Sequence, residues 1–345
     1  MNQVAVVILN YNGENFLKKF LPTLLQNTPP ETQIVVADNA STDGSIEVVK
    51  KNFEQVKVIL LNKNYGFAEG YNQALKQVNA KYFVLLNSDV EVTENWLPPL
   101  IQLLEKENIV ACQPKVLAFN NKESFEYAGA AGGFIDRFGY PFCRGRIIGN
   151  LEIDKGQYDD EIKVFWATGA CMAIRAELFH KVDGFDGDFF AHMEEIDLCW
   201  RLQKLGYTIA YTSKSVVYHV GGGTLAKSNP FKTYLNFRNG LSMLYKNWPE
   251  NGLYITIFIR LVLDGIASLG YLTKGQFGDF FAVIKAHFAF YASIKALKLK
   301  RVKLLDSAIK YQNNEKISYK TLIYEYFKST KLNFSGMNIK VEKLN

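Results

Sequence analysis

Cysteine is scarce in this sequence, and its few residues follow no binding pattern. The 345 residues include four cysteines, none of which form a C-x-x-C pair: Cys112, Cys143, Cys171 and Cys199. This count excludes a small scaffold held by disulfides and argues against a zinc site. Unpaired thiols favour a reducing compartment. The start of the chain, MNQVAVVILNYNG, lacks the charged region and cleavage site of a signal peptide, so we expect a cytoplasmic location.

Several common phosphate-binding and catalytic motifs are also missing. The chain contains no G-x-G-x-x-G, no G-x-x-x-x-G-K-[ST], no H-E-x-x-H and no G-x-S-x-G. The first two absences disfavour dinucleotide-dependent enzymes and P-loop NTPases. The last two leave no sequence support for a zinc-binding helix or for the nucleophile turn of an α/β-hydrolase.

The composition is globular, but the charge is uneven. Apolar residues make up 48% of the chain and aromatic residues 14%, which excludes disorder. Residues 231–345 hold 18 of the 40 lysines and arginines but 7 of the 34 acidic residues, a net charge of +11, whereas residues 1–230 carry −5. We therefore predict a domain over 1–230 and a basic extension over 231–345. Such an extension suits an anionic membrane surface, with a solvated basic face as the alternative.

The N-terminal part alternates strand and helix patterns. The predicted strands are Val4–Leu9, Ile34–Ala37, Val56–Leu61 and Tyr82–Leu86, and the helices between them are Phe16–Gln26, Ser41–Lys51 and Phe67–Val78. These units predict an α/β fold with a doubly wound, mostly parallel sheet flanked by helices. Ligands bind such sheets beyond the carboxyl ends of the strands. Further on, the pattern predicts a strand over Val164–Ile174, a helix over Leu198–Leu205 and a strand over Thr208–Thr212.

The C-terminal extension contains two apolar stretches. Leu253–Thr273 is apolar apart from Arg260 and Asp264, which are four residues apart and share a helical face. Phe280–Ile294 is shorter, and five basic residues follow it closely. Aromatic helices beside a cationic cluster favour peripheral attachment to an anionic membrane over spanning. The alternative is a helical subdomain packed on the sheet. The aromatic residues do not interleave with a basic stripe, which argues against nucleic acid as a partner.

Three groups of residues are candidates for chemistry. Asp89 ends the fourth predicted strand, where a carboxylate suits a divalent cation, although turns also favour Asp. Glu194, Glu195 and Asp197 crowd together before a helix. Burial would raise their pKa values and suit a general base, while helix capping is the structural alternative. His219 precedes a glycine-rich stretch and is either a metal ligand or a structural histidine.

Seven segments, taken together, resemble a known family. They are VAVVILNYNG, IVVADNASTDGS, NKNYGFAEGYNQAL, YFVLLNSDVEV, FWATGACMAIRAELFHKVDGFDGDFF, MEEIDLCWRLQKLGY and VVYHVGGGT. Their order and spacing resemble family 2 glycosyltransferases of the GT-A fold, in particular the rhamnosyltransferase-like branch that builds bacterial cell-surface polysaccharides. The resemblance covers about residues 3–245.

The resemblance implies a role for each matching position. The residues implied to bind the nucleotide are Tyr11, Asn12, Asp38, Asn64, Gly66, Asn72 and Ser88. Those implied to lie near the donor sugar, the diphosphate or the acceptor are Trp166, Gly169, Ala170 and Arg201. Asp89 and His219 are implied to bind Mg²⁺ or Mn²⁺, with Asn87 standing where the family has an acid. Glu195 takes the position of the catalytic base, with Glu194 and Asp197 as alternates.

The implied reaction is a single displacement with inversion. The resemblance implies that a UDP- or dTDP-sugar donates to a hydroxyl of a saccharide, which we expect to be lipid-linked and at the inner face of the cytoplasmic membrane. A nucleotidyltransferase would carry a glycine-rich, basic loop after its first strand, where this chain has Asn-Tyr-Asn-Gly-Glu. A non-catalytic scaffold that tethers a partner through its basic tail is the remaining alternative.

Overall fold

The computed structural model describes residues 2–221, 229–307, 317–318, 321–328, 333–337 and 339–344. Its strands are β1 (Asn2–Asn10), β2 (Gln33–Asp38), β3 (Lys57–Leu60), β4 (Ala80–Asn87), β5 (Val90–Val92), β6 (Ile109–Ala118), β7 (Asn121–Phe125), β8 (Gly133–Asp136), β9 (Pro141–Cys143), β10 (Arg146–Ile147), β11 (Asn150–Leu151), β12 (Glu161–Val164), β13 (Cys171–Arg175), β14 (Thr208–His219) and β15 (Ile317–Ser318). Its α-helices are α1 (Glu14–Asn27), α2 (Ser45–Asn52), α3 (Gly66–Leu75), α4 (Pro98–Glu105), α5 (Ala176–Lys181), α6 (Glu194–Lys204), α7 (Pro230–Asn247), α8 (Leu253–Thr273), α9 (Phe277–Ser307) and α10 (Leu322–Lys328).

The main sheet has the strand order β12-β14-β6-β13-β4-β1-β2-β3. The strands from β4 to β3 are parallel, as are β14 and β6, whereas β13 runs antiparallel to both of its neighbours. The sequence of β1 is continuously apolar because both faces of the strand are buried. Ala5 and Val7 face one hydrophobic core, and Val6 and Ile8 face the other. A strand covered by packed residues on both faces has no polar side. The predicted α/β fold is confirmed.

Three sequence predictions differ from the structure. The predicted helix Leu198–Leu205 begins at Glu194 instead, so the carboxylates predicted to precede it lie in its first turn. The predicted strand Val164–Ile174 is split, because β12 lies at the sheet edge and β13 lies between β6 and β4. The chain between them must leave one position in the sheet and cross to another. The predicted helix Ser41–Lys51 begins at Ser45 instead. The side chain of Asp43 accepts the N–H of Ser45 there, which holds the preceding residues as a loop.

A second, smaller sheet has the strand order β11-β10-β9-β8-β15. The helices of the C-terminal part pack on the body and on each other: α7 contacts α6, α8 and α9. Two of them, α8 and α9, are long and apolar enough to cross a membrane by length and composition alone. Their surfaces are mostly exposed in the described part of the chain.

Candidate active site

The carboxyl ends of three parallel strands lie side by side. Asn10 is in register with Asp38, and Leu9 with Asn87. The buried amide of Asn10 donates to Asp38 Oδ1 at 3.0 Å, and the N–H of Ser41 donates to Asp38 Oδ2 at 2.9 Å. These bonds fix the Asp38 carboxylate and leave its other lone pairs for a ligand.

The loops around Asp38 are tied to each other by side-chain amides. Asn12 adopts a positive φ of 51°, and its Oδ1 accepts the N–H of Thr42 at 2.7 Å. Tyr11 beside it is 40% exposed, which leaves its ring free to stack on a planar ligand. Asn39, the residue after Asp38, bonds the loop that leads into α3. Its Oδ1 accepts the N–H of Tyr65 at 2.9 Å, and its Nδ2 donates to the carbonyl of Gly66 at 2.9 Å.

Asn64 shapes the first turn of α3. Its Oδ1 accepts the N–H of Gly66 at 2.8 Å and also the amide of Asn39 at 3.1 Å. Gly66 has a φ of 75°, a conformation in which a β-carbon is strained. The structure therefore joins four residues predicted to bind the nucleotide, namely Asn12, Asp38, Asn64 and Gly66, into one hydrogen-bonded rim.

A buried histidine lies between two carboxylates beside this rim. His219 Nε2 is 3.2 Å from Asp89 Oδ1, and His219 Nδ1 is 3.3 Å from Glu126 Oε2. The pairing of β14 with β5 sets this contact, because His219 is opposite Val90. Burial disfavours the imidazolium, but the two carboxylates outweigh it and raise the pKa of His219 to about 10. The same contact holds the pKa of Asp89 below its usual range despite burial.

This cluster fits a divalent cation only in part. Asp89 supplies one oxygen ligand, and His219 becomes a nitrogen ligand only when it gives up the proton that it shares with Asp89. Glu126 lies behind His219, as carboxylates often do behind a metal-binding histidine. Within the described ranges, no three His, Cys, Asp or Glu side chains converge on one point to hold a metal. A cation here would need further oxygen ligands from a bound molecule, which is the usual arrangement for Mg²⁺ with phosphates. The glycine-rich stretch after Gly221 lies outside the described residues.

The loop over residues 189–193, which leads into α6, docks onto the start of α3. The carbonyl of Phe190 accepts the N–H groups of Phe67 at 2.6 Å and Ala68 at 3.0 Å. Phe190, His192 and Met193 all have positive φ values, between 64° and 73°. Such conformations are unfavourable for residues with a β-carbon and persist only where contacts hold them. The docked loop thus places the start of α6 next to this hydrogen-bonded rim.

Two glutamates at the start of α6 carry strongly perturbed carboxyl groups. Glu194 is buried and Glu195 is half-buried, and one carboxylate oxygen of each is buried with no hydrogen-bond partner among the described residues. Burial raises the pKa of Glu195 to about 7, against backbone N–H bonds that lower it. Burial and the neighbouring Glu195 raise the pKa of Glu194 well above its usual range. A carboxyl that titrates near neutral pH is suited to act as a general base.

Asn239 on α7 also holds the 189–193 loop, a role that the sequence analysis did not predict. Its buried side-chain amide donates to the carbonyls of Phe189 (2.9 Å), Ala191 (2.9 Å) and His192 (2.8 Å). An amide offers two N–H groups, so these bonds share hydrogens. An asparagine within an amphipathic helix gives only a weak signal of such a role.

Glu126 and Asn10 are the other residues that sequence reasoning missed. Glu126 follows β7 and reaches His219 from far along the chain, with no local pattern to mark it. Asn10 belongs to a polar cluster at a strand end, which was the available signal, but its contact with Asp38 requires the register of β1 and β2.

Three predicted residues, Asn72, Trp166 and Arg201, have polar side-chain atoms bonded within the protein. The side-chain amide of Asn72 donates to the carbonyl of Phe185 and accepts its backbone N–H, each at 2.9 Å. The indole of Trp166 donates to the carbonyl of Phe134 at 2.9 Å. Arg201 donates to Asp197 Oδ2 at 2.8 Å and to two backbone carbonyls.

Asp197 is fully buried between cations. Besides Arg201, it contacts Lys246 Nζ at 2.9 Å and accepts the amide of Asn247 at 2.7 Å. These cations keep its pKa below the usual range although burial opposes them. Of the three carboxylates in the first turn of α6, the structure thus sets Asp197 apart as a paired, ionised group.

The remaining predicted residues lie at the rim. A β-carbon on Gly13 would meet Ser88 Oγ at 3.4 Å, which places Ser88 against the loop after β1. The carbonyl of Ala170 accepts the N–H of Asn87 at 3.0 Å. A β-carbon on Gly169 would lie 3.1 Å from the ring of Phe67. Gly169 and Ala170 therefore bridge the ends of β4 and the start of α3.

Solved structures share this fold. GalNAc-T7 with UDP, GalNAc and Mn²⁺ superimposes with a TM-score of 0.64 at 16% identity, over 98% of this chain and 58% of that one. TarS 1-349 of S. aureus in complex with UDP-GlcNAc gives a TM-score of 0.52 at 18% identity, over 88% of this chain and 89% of that one. At these identities the likeness concerns the fold, and it confirms the GT-A architecture.

Curated relatives extend the similarity to sequence. An N-acetylglucosaminyl-diphospho-decaprenol L-rhamnosyltransferase of Mycobacterium tuberculosis is 25% identical over 249 residues, which cover 63% of this chain and 75% of the relative. The rhamnosyltransferase WbbL of Escherichia coli K12 is 26% identical over 216 residues, covering 60% and 80%. The sequence profile described as Glycosyl transferase family 2 matches residues 5–183. The chain therefore belongs to glycosyl transferase family 2.

Proposed function

We propose that this protein transfers a sugar from a UDP- or dTDP-sugar to a saccharide hydroxyl, with inversion, in the synthesis of a cell-envelope polysaccharide. Glycosyl transfer itself is supported by the family and by the names of its relatives. The observation that carries the proposal is the pair of perturbed carboxyls, Glu194 and Glu195, at the start of α6. The 189–193 loop docks this pair onto the rim that contains Asp38 and Asn64.

Glu195 is the general base in this proposal. Its carboxylate takes the proton of the acceptor hydroxyl while the hydroxyl oxygen attacks the anomeric carbon, and the bond to the nucleoside diphosphate breaks on the opposite face. The rim residues Asp38 and Tyr11 hold the nucleotide. Asp89 and His219 would hold a Mg²⁺ or Mn²⁺ ion, which when bound neutralises the leaving diphosphate.

The acceptor in this proposal is a lipid-linked saccharide at the inner face of the cytoplasmic membrane. One relative is named for an acceptor of this kind, a diphospho-decaprenol carrying N-acetylglucosamine. In the same proposal, residues 1–230 form the transferase domain and residues 231–345 an extension that meets the membrane. In this proposal the extension also supports the site, through the contacts of Asn239 with the 189–193 loop.

A donor panel on the purified chain tests this function. UDP- and dTDP-sugars are titrated with Mg²⁺, Mn²⁺ or EDTA, and slow donor hydrolysis is followed without an acceptor. We expect one donor to bind with metal, Asp89→Asn to weaken that binding, and Glu195→Gln to bind the donor without turnover. Glu91→Gln is the matched control for Asp89, because Glu91 is two residues away and pairs with Lys122 at the surface.

Two results would contradict this proposal. If no donor binds with either metal, the reaction is refuted and the scaffold alternative takes its place. If Glu195→Gln hydrolyses the donor as fast as the unaltered chain, the role of Glu195 is wrong even where donor binding holds.

A further inference from the structure

Helix α8 is amphipathic in the reverse sense to a helix of a water-soluble protein. Four of its six buried residues are polar and form a stripe spaced four apart: Thr256, Arg260, Asp264 and Ser268. The other two, Leu253 and Ile257, are apolar and lie near the start of the helix. A helix on the surface of a soluble protein buries its apolar stripe and exposes its polar one. Here the polar stripe faces the protein, so the opposite face of α8 requires a different environment from water.

The buried stripe is bonded to the hairpin between β8 and β9. Arg260 donates to the carbonyl of Phe138 at 2.9 Å, and its guanidinium lies 3.7 Å from the centre of the Tyr140 ring. The hydroxyl of Tyr140 donates to Asp264 Oδ1 at 2.8 Å. Both charges predicted to share a face of this helix are therefore used to attach it to the body. A helix fixed along the body in this way is not free to stand across a bilayer.

The exposed face of α8 and α9 is apolar and aromatic over a long distance. On α8, Phe258 is 62% exposed and Ile266 is 59% exposed; on α9, Phe281 is 62% and Phe288 71% exposed. The face also includes Tyr254, Ile255, Val262, Leu269, Leu272, Phe277, Ile284, Tyr291, Leu299 and Val302. Contiguous apolar surface of this extent marks an interaction site.

Basic side chains lie among these apolar ones. Lys274 is exposed in the turn between α8 and α9, and Lys285, Lys295 and Lys298 are exposed on α9. A symmetric dimer through this face would place like charges against each other, because both copies would use the same surface. An anionic lipid surface instead supplies opposite charges to the lysines and an apolar layer to the aromatic rings.

We propose that the exposed face of α8 and α9 docks in the plane of an anionic membrane, with the helices lying along the surface rather than crossing it. Helix α9 also holds the segment before the 189–193 loop. Lys300 Nζ contacts Asp186 Oδ1 at 2.5 Å and Asp188 Oδ2 at 2.7 Å, and Arg301 donates to the carbonyl of Trp248 at 2.6 Å. Given the proposed function, docking would hold the active site at a fixed height above the lipid headgroups.

Flotation of the purified full chain with vesicles tests the proposal. The vesicles contain phosphatidylcholine alone or mixed with phosphatidylglycerol. We expect the chain to float with the anionic vesicles. Phe258→Ser combined with Ile266→Ser should lower the partition coefficient by about tenfold or more, because two large apolar side chains leave the lipid. Lys295→Gln with Lys298→Gln should lower it roughly tenfold on anionic vesicles and little on neutral ones.

The matched control is Leu60→Ser with Leu151→Ser, which removes two exposed leucines from elsewhere on the molecule. This pair should float as the unaltered chain does, and all variants should keep the melting temperature because the changed side chains are exposed. Absence of the chain from anionic vesicles, or equal flotation of the α8 variant, overturns the proposal. The proposal is also overturned if the unaltered chain is a dimer and the α8 variant alone is a monomer. Vesicle-bound protein that resists extraction at alkaline pH would overturn it too, because it would indicate that the helices span the bilayer. No donor or acceptor is present, so failure of the proposed reaction does not affect the result.

Discussion

Asn239 donates its side-chain amide to the backbone carbonyl of His192 at 2.8 Å, across 47 residues of sequence. His192 has a φ of 70° and lies two residues before the first of the paired glutamates. The bond therefore fixes a strained backbone at the point where the chain turns into α6. Asn239 lies beyond residues 5–183, the part of the chain that the family profile matches. Support for the 189–193 loop thus comes from outside the matched region.

Replacing Asn239 by alanine should reduce turnover more than donor binding. Without the amide, the carbonyls of Ala191 and His192 lose this donor, whereas the carbonyl of Phe189 still accepts from Arg238 and from the N–H of Ala191. The glutamates then lose part of the support that positions them. Misplacement of a catalytic group by about 1 Å lowers rates by about 100-fold. We expect a fall in kcat of about 10- to 100-fold with a donor Kd within a factor of about two, measured by donor hydrolysis and by calorimetry.

Asn236→Ala is the control for this change, because Asn236 lies one helical turn earlier on α7 and is half-buried. We expect Asn236→Ala to leave both kcat and the donor Kd unchanged. A loss of donor affinity equal to the loss of kcat in Asn239→Ala would show that Asn239 acts on the nucleotide rim and not on the glutamates.

The two glutamates should respond differently to amide substitution. Glu195→Gln removes the proposed base, and loss of a general base lowers kcat by about 10²- to 10⁴-fold. Glu194→Gln keeps a neutral group where the structure favours a protonated one, so its kcat should fall by less than about tenfold. Single-turnover transfer at saturating donor measures both. The reverse order of effects would assign the base to Glu194.

The pH dependence of turnover should follow Glu195. Burial raises its pKa to about 7, so the carboxylate required for catalysis forms only as the pH passes through that value. We expect kcat to rise from about pH 6 to about pH 8 and then to level off. A flat profile over this interval would mean that Glu195 is not the titrating base.

The free energy of unfolding should fall as the pH rises through this interval, whereas kcat rises. A folded-state pKa above the unfolded value of 4.5 means that the folded chain holds the Glu195 proton more tightly. The stabilisation from that proton is present below about pH 4.5 and is lost as the pH rises through about 7. Relative to Glu195→Gln, the free energy of unfolding of the unaltered chain should therefore fall over this interval, as denaturation at several pH values would show.

The sequence predicted the βα units well because each signal is local. A buried strand such as β1 is continuously apolar, and a helix such as α1 repeats apolar residues on one face. The break between β12 and β13 was not predictable in this way, because a buried turn can be as apolar as a strand. Glu126 and Asn239 were missed for a different reason. Their roles arise from contacts with distant residues, His219 and the 189–193 loop, that only the folded chain brings together.

Replacing Arg201 by methionine should destabilise the fold. Arg201 is the bonded partner of the buried Asp197 and also donates to the carbonyls of Val182 and Gly184. Removing one partner of a buried ion pair lowers stability by about 3–5 kcal/mol. Denaturant unfolding measures the change. Lys303→Met is the control, because its pair with Asp183 is exposed and should contribute less than about 1 kcal/mol. Unchanged stability with weakened donor binding would instead place Arg201 at the diphosphate.

Replacing Gly66 by alanine should separate the 189–193 loop from α3. A β-carbon on Gly66 would lie 2.7 Å from Cε2 of the Phe190 ring, at a φ of 75° that side chains rarely adopt. Overpacking of this kind lowers stability by about 1–3 kcal/mol and moves the backbone. We expect that loss by thermal unfolding, together with a larger fractional loss of kcat. Gly265→Ala is the control. Apart from the neighbouring backbone of α8 itself, no atom of the described residues lies within 4 Å of the added β-carbon, and alanine there should stabilise the helix by up to about 1 kcal/mol. Because the clash is with Phe190, adding Phe190→Ala to Gly66→Ala should recover part of the lost stability. An additive double variant would show that the φ of Gly66, and not its contact with the ring, sets the effect.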